Sequence, residues 1–247
     1  MGLLDYFGND YFQPLDRIGR PELGQMGWAP TPNLQPQPFV IEAERVDPAS
    51  HSEARAKWVP LTDQHFTLRA TKGLPILNLN VGETEELLGF KAKKRPVVVI
   101  GTAASLLGSL GPEAAKRHHE EDRIVLAPVY DLASEDDPYG FGSVVATRVR
   151  HLLYKQYFPI AAWQETRNIR GGSSFREGIA RFDRLQFLLP NPPGLELAPV
   201  KLAPDVLMLM HGMLWVYLHA EPIDELREMQ EVLADMLPDA AKPGSTR

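Results

Sequence analysis

The stretch KAKKRPVVVIG (91–101) decides the fold: four basic residues, a proline, then an unbroken apolar, β-branched run ending in glycine. Val and Ile suit a pleated, packed surface, so the run reads as a buried strand entered from a basic edge. RIVLAPVYDL (123–132) is a second apolar strand, and its Pro128, lacking an N–H, predicts an edge or a strand break. YFPIAAW (157–163) and IARFDRLQFLLP (179–190) each read as a short strand or a helical turn. Together these pieces predict a β-rich α+β body.

Outward from this centre, residues 102–122 read as a loop with a short helix opening at Pro112. Residues 143–158 read as a helix with Val145, Val149, Leu152 and Leu153 on one face. Upstream, FVIEAERV (39–46) predicts a strand. Leu77, Leu79 and Val81 alternate with Asn78 and Asn80, the period of a half-buried strand. Thr62 or Asp63 is placed to cap a short helix. Residues 1–38, rich in Pro, Gly, Asn and Gln, read as an extended arm or linker whose aromatics could dock on the body. Residues 201–240 read as a helical pair. Its first helix is apolar almost all round, with Leu207, Met210, Leu214 and Tyr217 in one line; its second, from Pro222, is amphipathic. The expected organisation is an arm (1–38), a barrel-like body (39–200), a helical pair (201–240) and a frayed tail (241–247).

The 247 residues are 44% hydrophobic and 23% charged, a soluble globular profile long enough to bury a core without staples. No run approaches the roughly 18 consecutive apolar residues of a membrane helix. Cysteine is absent, which excludes disulfides, thiolate nucleophiles and Cys-based metal sites. The N-terminus has no apolar secretory core, so a cytoplasmic protein is expected. The net charge of -6 is unevenly spread. Residues 148–184 carry eight Arg or Lys against three acids, whereas residues 221–240 carry seven acids against one base. A basic middle suits a phosphate-bearing partner, although a solvated surface of mixed charge is the commoner origin of such a pattern.

Several familiar constellations fail. GTAASLLGSLG (101–111) lacks both the GK[ST] ending and the GxGxxG spacing of nucleotide loops. His118 and His119 are adjacent, and adjacent side chains point apart. His211 and His219 lie two helical turns apart, too far to share an ion. Neither GxSxG nor HExxH occurs. No cofactor and no metal are expected.

The order KKRPVVVIG, RIVLAPVYDL, YFPIAAW and GGSSFREGIARFDRLQFL, over about residues 80–190, resembles the MazF/PemK-like toxin family. The last segment carries Asp183–Arg184–Leu185 at the position of the family's closing motif. The resemblance implies an SH3-like, strongly bent β-barrel that forms a homodimer. It also implies metal-independent endoribonuclease chemistry on single-stranded RNA, as in toxin–antitoxin systems. The Arg of the family's RP motif matches Arg95, a planar fork suited to a phosphate. The family's second catalytic group, a Thr or Ser, is replaced here by Tyr130, with Asp131 beside it as another candidate base. Lys93, Lys94, Arg170, Arg176 and Arg181 are the candidate RNA contacts. An acidic protein segment is the other partner the resemblance implies, and the chain's own acidic helix (222–237) could mask the basic body in the same way. The alternative is a catalytically inactive barrel serving as a protein-interaction or structural module. In that reading Arg95 pairs with Glu85 or Glu86, Tyr130 is a buried ring, and Ser173 and Ser174 are turn residues.

Overall fold

The computed structural model describes the chain except residues 1, 34–37, 48, 50–53, 67–84, 103–122, 133–140, 165–173, 190–191, 222 and 245–247. It opens with α1 (Leu3–Phe7), β1 (Phe12–Pro14), β2 (Gln25–Pro32), β3 (Phe39–Arg45), β4 (Ala54–Pro60), β5 (Leu88–Gly89), β6 (Ala92–Thr102) and β7 (Ile124–Asp131). Then follow α2 (Ser143–Arg150), β8 (Tyr157–Ile160), β9 (Trp163–Gln164), β10 (Ser174–Phe175), β11 (Gly178–Arg181), β12 (Gln186–Leu188) and β13 (Glu196–Leu202). Two helices close the chain, α3 (Pro204–His219) and α4 (Asp224–Asp235). These elements form two compact units, Met1–Pro30 with Lys94–Arg247, and Thr31–Lys93.

The larger unit is mixed α+β. Its sheet, ordered β1-β13-β2-β6-β7-β11-β8 with β12 also on β7, curls strongly into a half-barrel. Register shifts between Val99 and Gly101 on β6, and between Leu197 and Lys201 on β13, are the kind of irregularity that bends a sheet. The partners of β7 also change along its length. Ile124–Leu126 pair with β12 and Val129–Asp131 with β11, while the 3-10 turn Phe182–Arg184 carries the chain from one strand to the other. Pro128 falls in the gap between the two pairings. Neither the edge nor the break predicted from its missing N–H is found: β7 lies inside the sheet and continues through Pro128, where no strand on that side asks for a donor.

Strand alternation sorts the apolar residues onto two faces. Val98, Ile100, Val125, Ala127, Val129, Phe158, Ala180 and Phe182 share the main core with Leu3 of α1, with Leu209, Met210, Met213 and Leu214 of α3, and with Leu226 and Leu233 of α4. The opposite face carries two smaller clusters. One holds Ala29, Val97, Val99, Ile124 and Leu126; the other holds Leu132 and Ile179 under Ala146 and Val149 of α2.

Three expectations change. Residues 1–38 do not form an arm: β1 and β2 are strands of the half-barrel, Met26 and Ala29 are buried, and the buried Tyr11 hydroxyl donates to the Pro159 carbonyl. Burial of these apolar side chains outweighs the local preference of a Pro-rich segment for extended, unpaired chain. The helix expected over 143–158 stops at Arg150, because Leu152 turns the chain at a positive φ of 57° with its side chain buried, and β8 follows. The body expected over 39–200 is divided, since Thr31–Lys93 is compact in its own right. The strand expected over 77–81 and the helix at Pro112 lie outside the described residues.

The smaller unit is an antiparallel sheet ordered β4-β3-β5. Among the described residues, no helix is long and apolar enough to cross a membrane.

Candidate functional site

Between the two apolar clusters on the face opposite the main core lies a group of cations and rings. Val97 pairs with Pro128 in the antiparallel β6–β7 ladder, and the same register carried two residues further sets Arg95 opposite Tyr130. On the other side of β7, Tyr130 pairs with Ile179 of β11, and Arg181, two residues along β11, pairs with Tyr157 of β8. Cross-strand partners share a face, so Arg95, Tyr130, Arg181 and Tyr157 all lie on the one face, opposite the main core.

Tyr130 is the hub. The Arg95 guanidinium stands over its ring, 4.3 Å from the centroid, and the Arg181 guanidinium approaches the same ring at 5.2 Å. Arg181 also lies 5.5 Å from the ring of Tyr157, which meets Tyr154 and Phe141 edge-on. These separations are within the ~6 Å reach of a cation–π contact. Arg95, Tyr130 and Tyr157 are half-buried, so the cluster is open to solvent without being loose.

The two guanidiniums differ in their partners. Arg181 is gripped by Asp183 at both ends of its fork, with Nε donating to Oδ1 at 2.9 Å and NH2 donating to Oδ2. That hydrogen bond raises the Arg181 pKa further. Burial pushes the Asp183 carboxyl up, but the Arg181 hydrogen bond and charge, helped by Arg184, outweigh it and hold the group below its usual range. Asp183 is thus held as an anion, and the contacts that hold it make it a weak base. Among the described residues Arg95 is seen against the Tyr130 ring and against no carboxylate. Three guanidiniums against one carboxylate leave the cluster with surplus positive charge.

The other candidates lie elsewhere. Lys94 pairs with Glu196 of β13. Lys93 is exposed and belongs to the smaller unit. Arg176 is exposed just past β10, and Arg170 and Ser173 lie outside the described residues. Asp131 follows Tyr130 on the same strand, so alternation turns its side chain to the other face, away from Arg95. The acidic α4 packs through Leu226 and Leu233 into the main core, on the opposite face of the sheet, and its Arg227 pairs with Asp224. It does not cover the cluster in the same chain. His211 is a packing residue: its Nε2–H donates to the Ile100 carbonyl at 2.9 Å.

Tyr157 was not singled out from sequence, and Asp183 entered only as part of the closing motif, without its role as the partner of Arg181. The Arg-x-Asp spacing of 181–183 is a local signal for that pair, whereas Tyr157 required the register of β8 on β11. Chemically, the cluster can hold a phosphate on the Arg95 fork and stabilise negative charge there. The hydroxyls of Tyr130 and Tyr157 make no hydrogen bond to any described residue. No protein-family model, curated protein or solved structure matches this chain.

Proposed function

We propose that this chain is a PemK-like barrel that engages single-stranded RNA on the face of its curled sheet opposite the main core. The observation that carries the reading is the placement of two guanidiniums about one half-exposed tyrosine ring, with Arg95 lacking an anionic partner among the described residues. A cation held in a fixed direction by an aromatic face, with its fork unspent, suits a phosphate. An acidic protein segment would compete for the same charges, and the homodimer belongs to the same proposal.

Cleavage asks for more than binding. Metal-independent attack by a 2′-hydroxyl needs a group within hydrogen-bond reach to take its proton. Asp131 faces away and Asp183 is committed to Arg181, which leaves the Tyr130 and Tyr157 hydroxyls. Arg95 lies over the ring of Tyr130. This favours a second reading, in which the barrel has no cleavage activity and serves as a binding module.

One experiment separates these readings. Labelled single-stranded RNA is titrated with the full chain in EDTA, wild type beside Arg95→Ala, with anisotropy for binding and a denaturing gel for cleavage. RNA engagement predicts weaker binding by the variant and a salt slope reduced by about 0.7 for one lost phosphate contact. RNA cut in EDTA by the wild type alone establishes the endoribonuclease. Bound, intact RNA leaves a binding module, and no binding at low salt refutes the RNA reading.

A further inference from the structure

The smaller unit carries a second arrangement suited to a ligand. Its sheet places Phe39 of β3 opposite both Pro60 of β4 and Gly89 of β5, and places Trp58 opposite Ile41. Phe39, Ile41, Trp58 and Gly89 therefore share one face. The Trp58 indole lies across Gly89 so closely that a Cβ at that position would collide with the ring. Phe39 meets Trp58 edge-on at 6.3 Å. Phe90 and Lys91 complete the wall of an open, largely apolar cleft of about 300 Å³, the small end of the range for ligand pockets.

Two features distinguish this cleft from an ordinary patch of surface. Trp58 is 58% exposed and Phe90 42%, yet the indole is seated on glycine and buttressed by a second ring. Such a ring is a rigid platform whose free side faces solvent. The single charge in the lining is cationic, the exposed Lys91, and its backbone is fixed where its carbonyl accepts from Asn33 N–H at 2.7 Å. An aromatic cleft edged by an ammonium repels cationic ligands and suits a flat ring that carries an anion.

We propose that the Trp58 cleft is a base-stacking site, taking one unpaired nucleobase against the indole with its phosphate on Lys91. The choice of a nucleic-acid strand as the source of that nucleotide rests on the RNA reading above, while stacking of the base stands on the cleft alone. Stacking on an aromatic platform tolerates any base, because every base presents a π-face.

The test uses the full chain and four probes: a single-stranded oligouridylate, a single-stranded oligoadenylate, free AMP and tetramethylammonium. Binding is followed by anisotropy and by quenching of tryptophan fluorescence, with Trp58→Ala, Trp58→Phe and Lys91→Ala beside wild type. Because the indole is mostly exposed, Trp58→Ala keeps the fold, which circular dichroism verifies. Expected are roughly 5- to 150-fold weaker oligonucleotide binding for Trp58→Ala and substantial recovery for Trp58→Phe. Lys91→Ala should reduce the salt slope by about 0.7. If Arg95→Ala weakens RNA binding while Trp58→Ala leaves it unchanged, the stacking site is overturned and the RNA reading stands. If RNA does not bind but AMP quenches fluorescence in wild type and not in Trp58→Ala, the site is supported with a free nucleotide as its ligand. Quenching by tetramethylammonium without quenching by any nucleotide overturns the proposal in favour of a cation cage.

Discussion

Replacing Tyr130 tests whether its ring or its hydroxyl matters. The ring carries one guanidinium at 4.3 Å and a second at 5.2 Å, in a half-exposed setting where each contact is worth about 0.5–1 kcal/mol. Tyr130→Ala removes both, so about 1–2 kcal/mol of stability should go with them, beyond the lost packing. Arg95 then loses the surface that directs it, and binding must fix a free side chain at about 0.5–1.5 kcal/mol. That converts to RNA binding roughly 2- to 12-fold weaker than wild type. Tyr130→Phe keeps the ring and should bind within about twofold of wild type. The assay is titration of labelled single-stranded RNA at two salt concentrations, with urea unfolding of each variant alongside. If Tyr130→Ala binds as wild type while Arg95→Ala does not, the ring does not organise the cation and the argument from geometry fails. If Tyr130→Phe falls as far as Tyr130→Ala, the hydroxyl is the group in use; loss of cleavage without loss of binding would make it a catalytic residue.

The remaining predictions concern the scaffold. Burial, with the charge of Glu177, raises the Tyr11 pKa well above 10.0 against an opposing backbone hydrogen bond from Ala161. The folded state then holds a proton that the unfolded state releases above about pH 10, so stability should fall as pH rises past that point. Tyr11→Phe should abolish that fall and cost about 1–3 kcal/mol through the unpaired Pro159 carbonyl, read by urea melts from pH 7 to 11. Gly27 lies so near β13 that a Cβ would stand 2.5 Å from the Glu196 carbonyl oxygen. Gly27→Ala should cost about 1–3 kcal/mol, seen as a lower urea midpoint with an unchanged slope. Burial lowers the His211 pKa despite its bond to the Ile100 carbonyl, so the unfolded state takes up its proton first as pH falls. Stability should therefore decline below about pH 6.5, and His211→Gln should flatten that limb of the profile.

The central strands were legible because both of their faces are buried. Val97 and Val99 of β6 join one cluster and Val98 and Ile100 another, so the run has no polar positions to confuse its reading. The edge or break expected at Pro128 did not follow, because β7 lies inside the sheet and Pro128 falls where the ladder on one side passes from β12 to β11 and asks for no donor. The N-terminal strands were not legible, because the Pro-rich 29–38 obeys local rules that argue against a sheet. Tertiary placement resolves the conflict. Glu196, the first residue of β13, pairs with Trp28, so Pro30 and Pro32 run past the end of that partner and owe it no N–H. Arg95 and Tyr130 came forward from sequence as separate candidates. Their partnership needed the β6–β7 register, and the second guanidinium needed two further ladders, none of which a linear pattern states.

The placement of the cluster bears on its use. Along β7 the positions on the face opposite the main core are Ile124, Leu126, Pro128 and Tyr130, with Leu132 just past the strand's end and apolar clusters on both sides. An aliphatic residue at 130 would join those clusters into one continuous core on that face and remove the need to solvate two guanidiniums beside them. The chain instead interrupts the face with an amphipathic ring and two arginines, only one of which has an internal anion. Purely structural arginines on such a surface would be expected to end like Arg181, saturated by a neighbouring carboxylate. Arg95 has the same ring beneath it and no described carboxylate, so its hydrogen-bonding fork is left to solvent or to an anion that the fold does not supply. That asymmetry between two cations on one ring separates a binding surface from a packing device, and Arg95→Ala beside Arg181→Ala exposes it. The first should weaken RNA binding with little loss of stability, whereas the second should destabilise the fold by leaving Asp183 only the more distant Arg184.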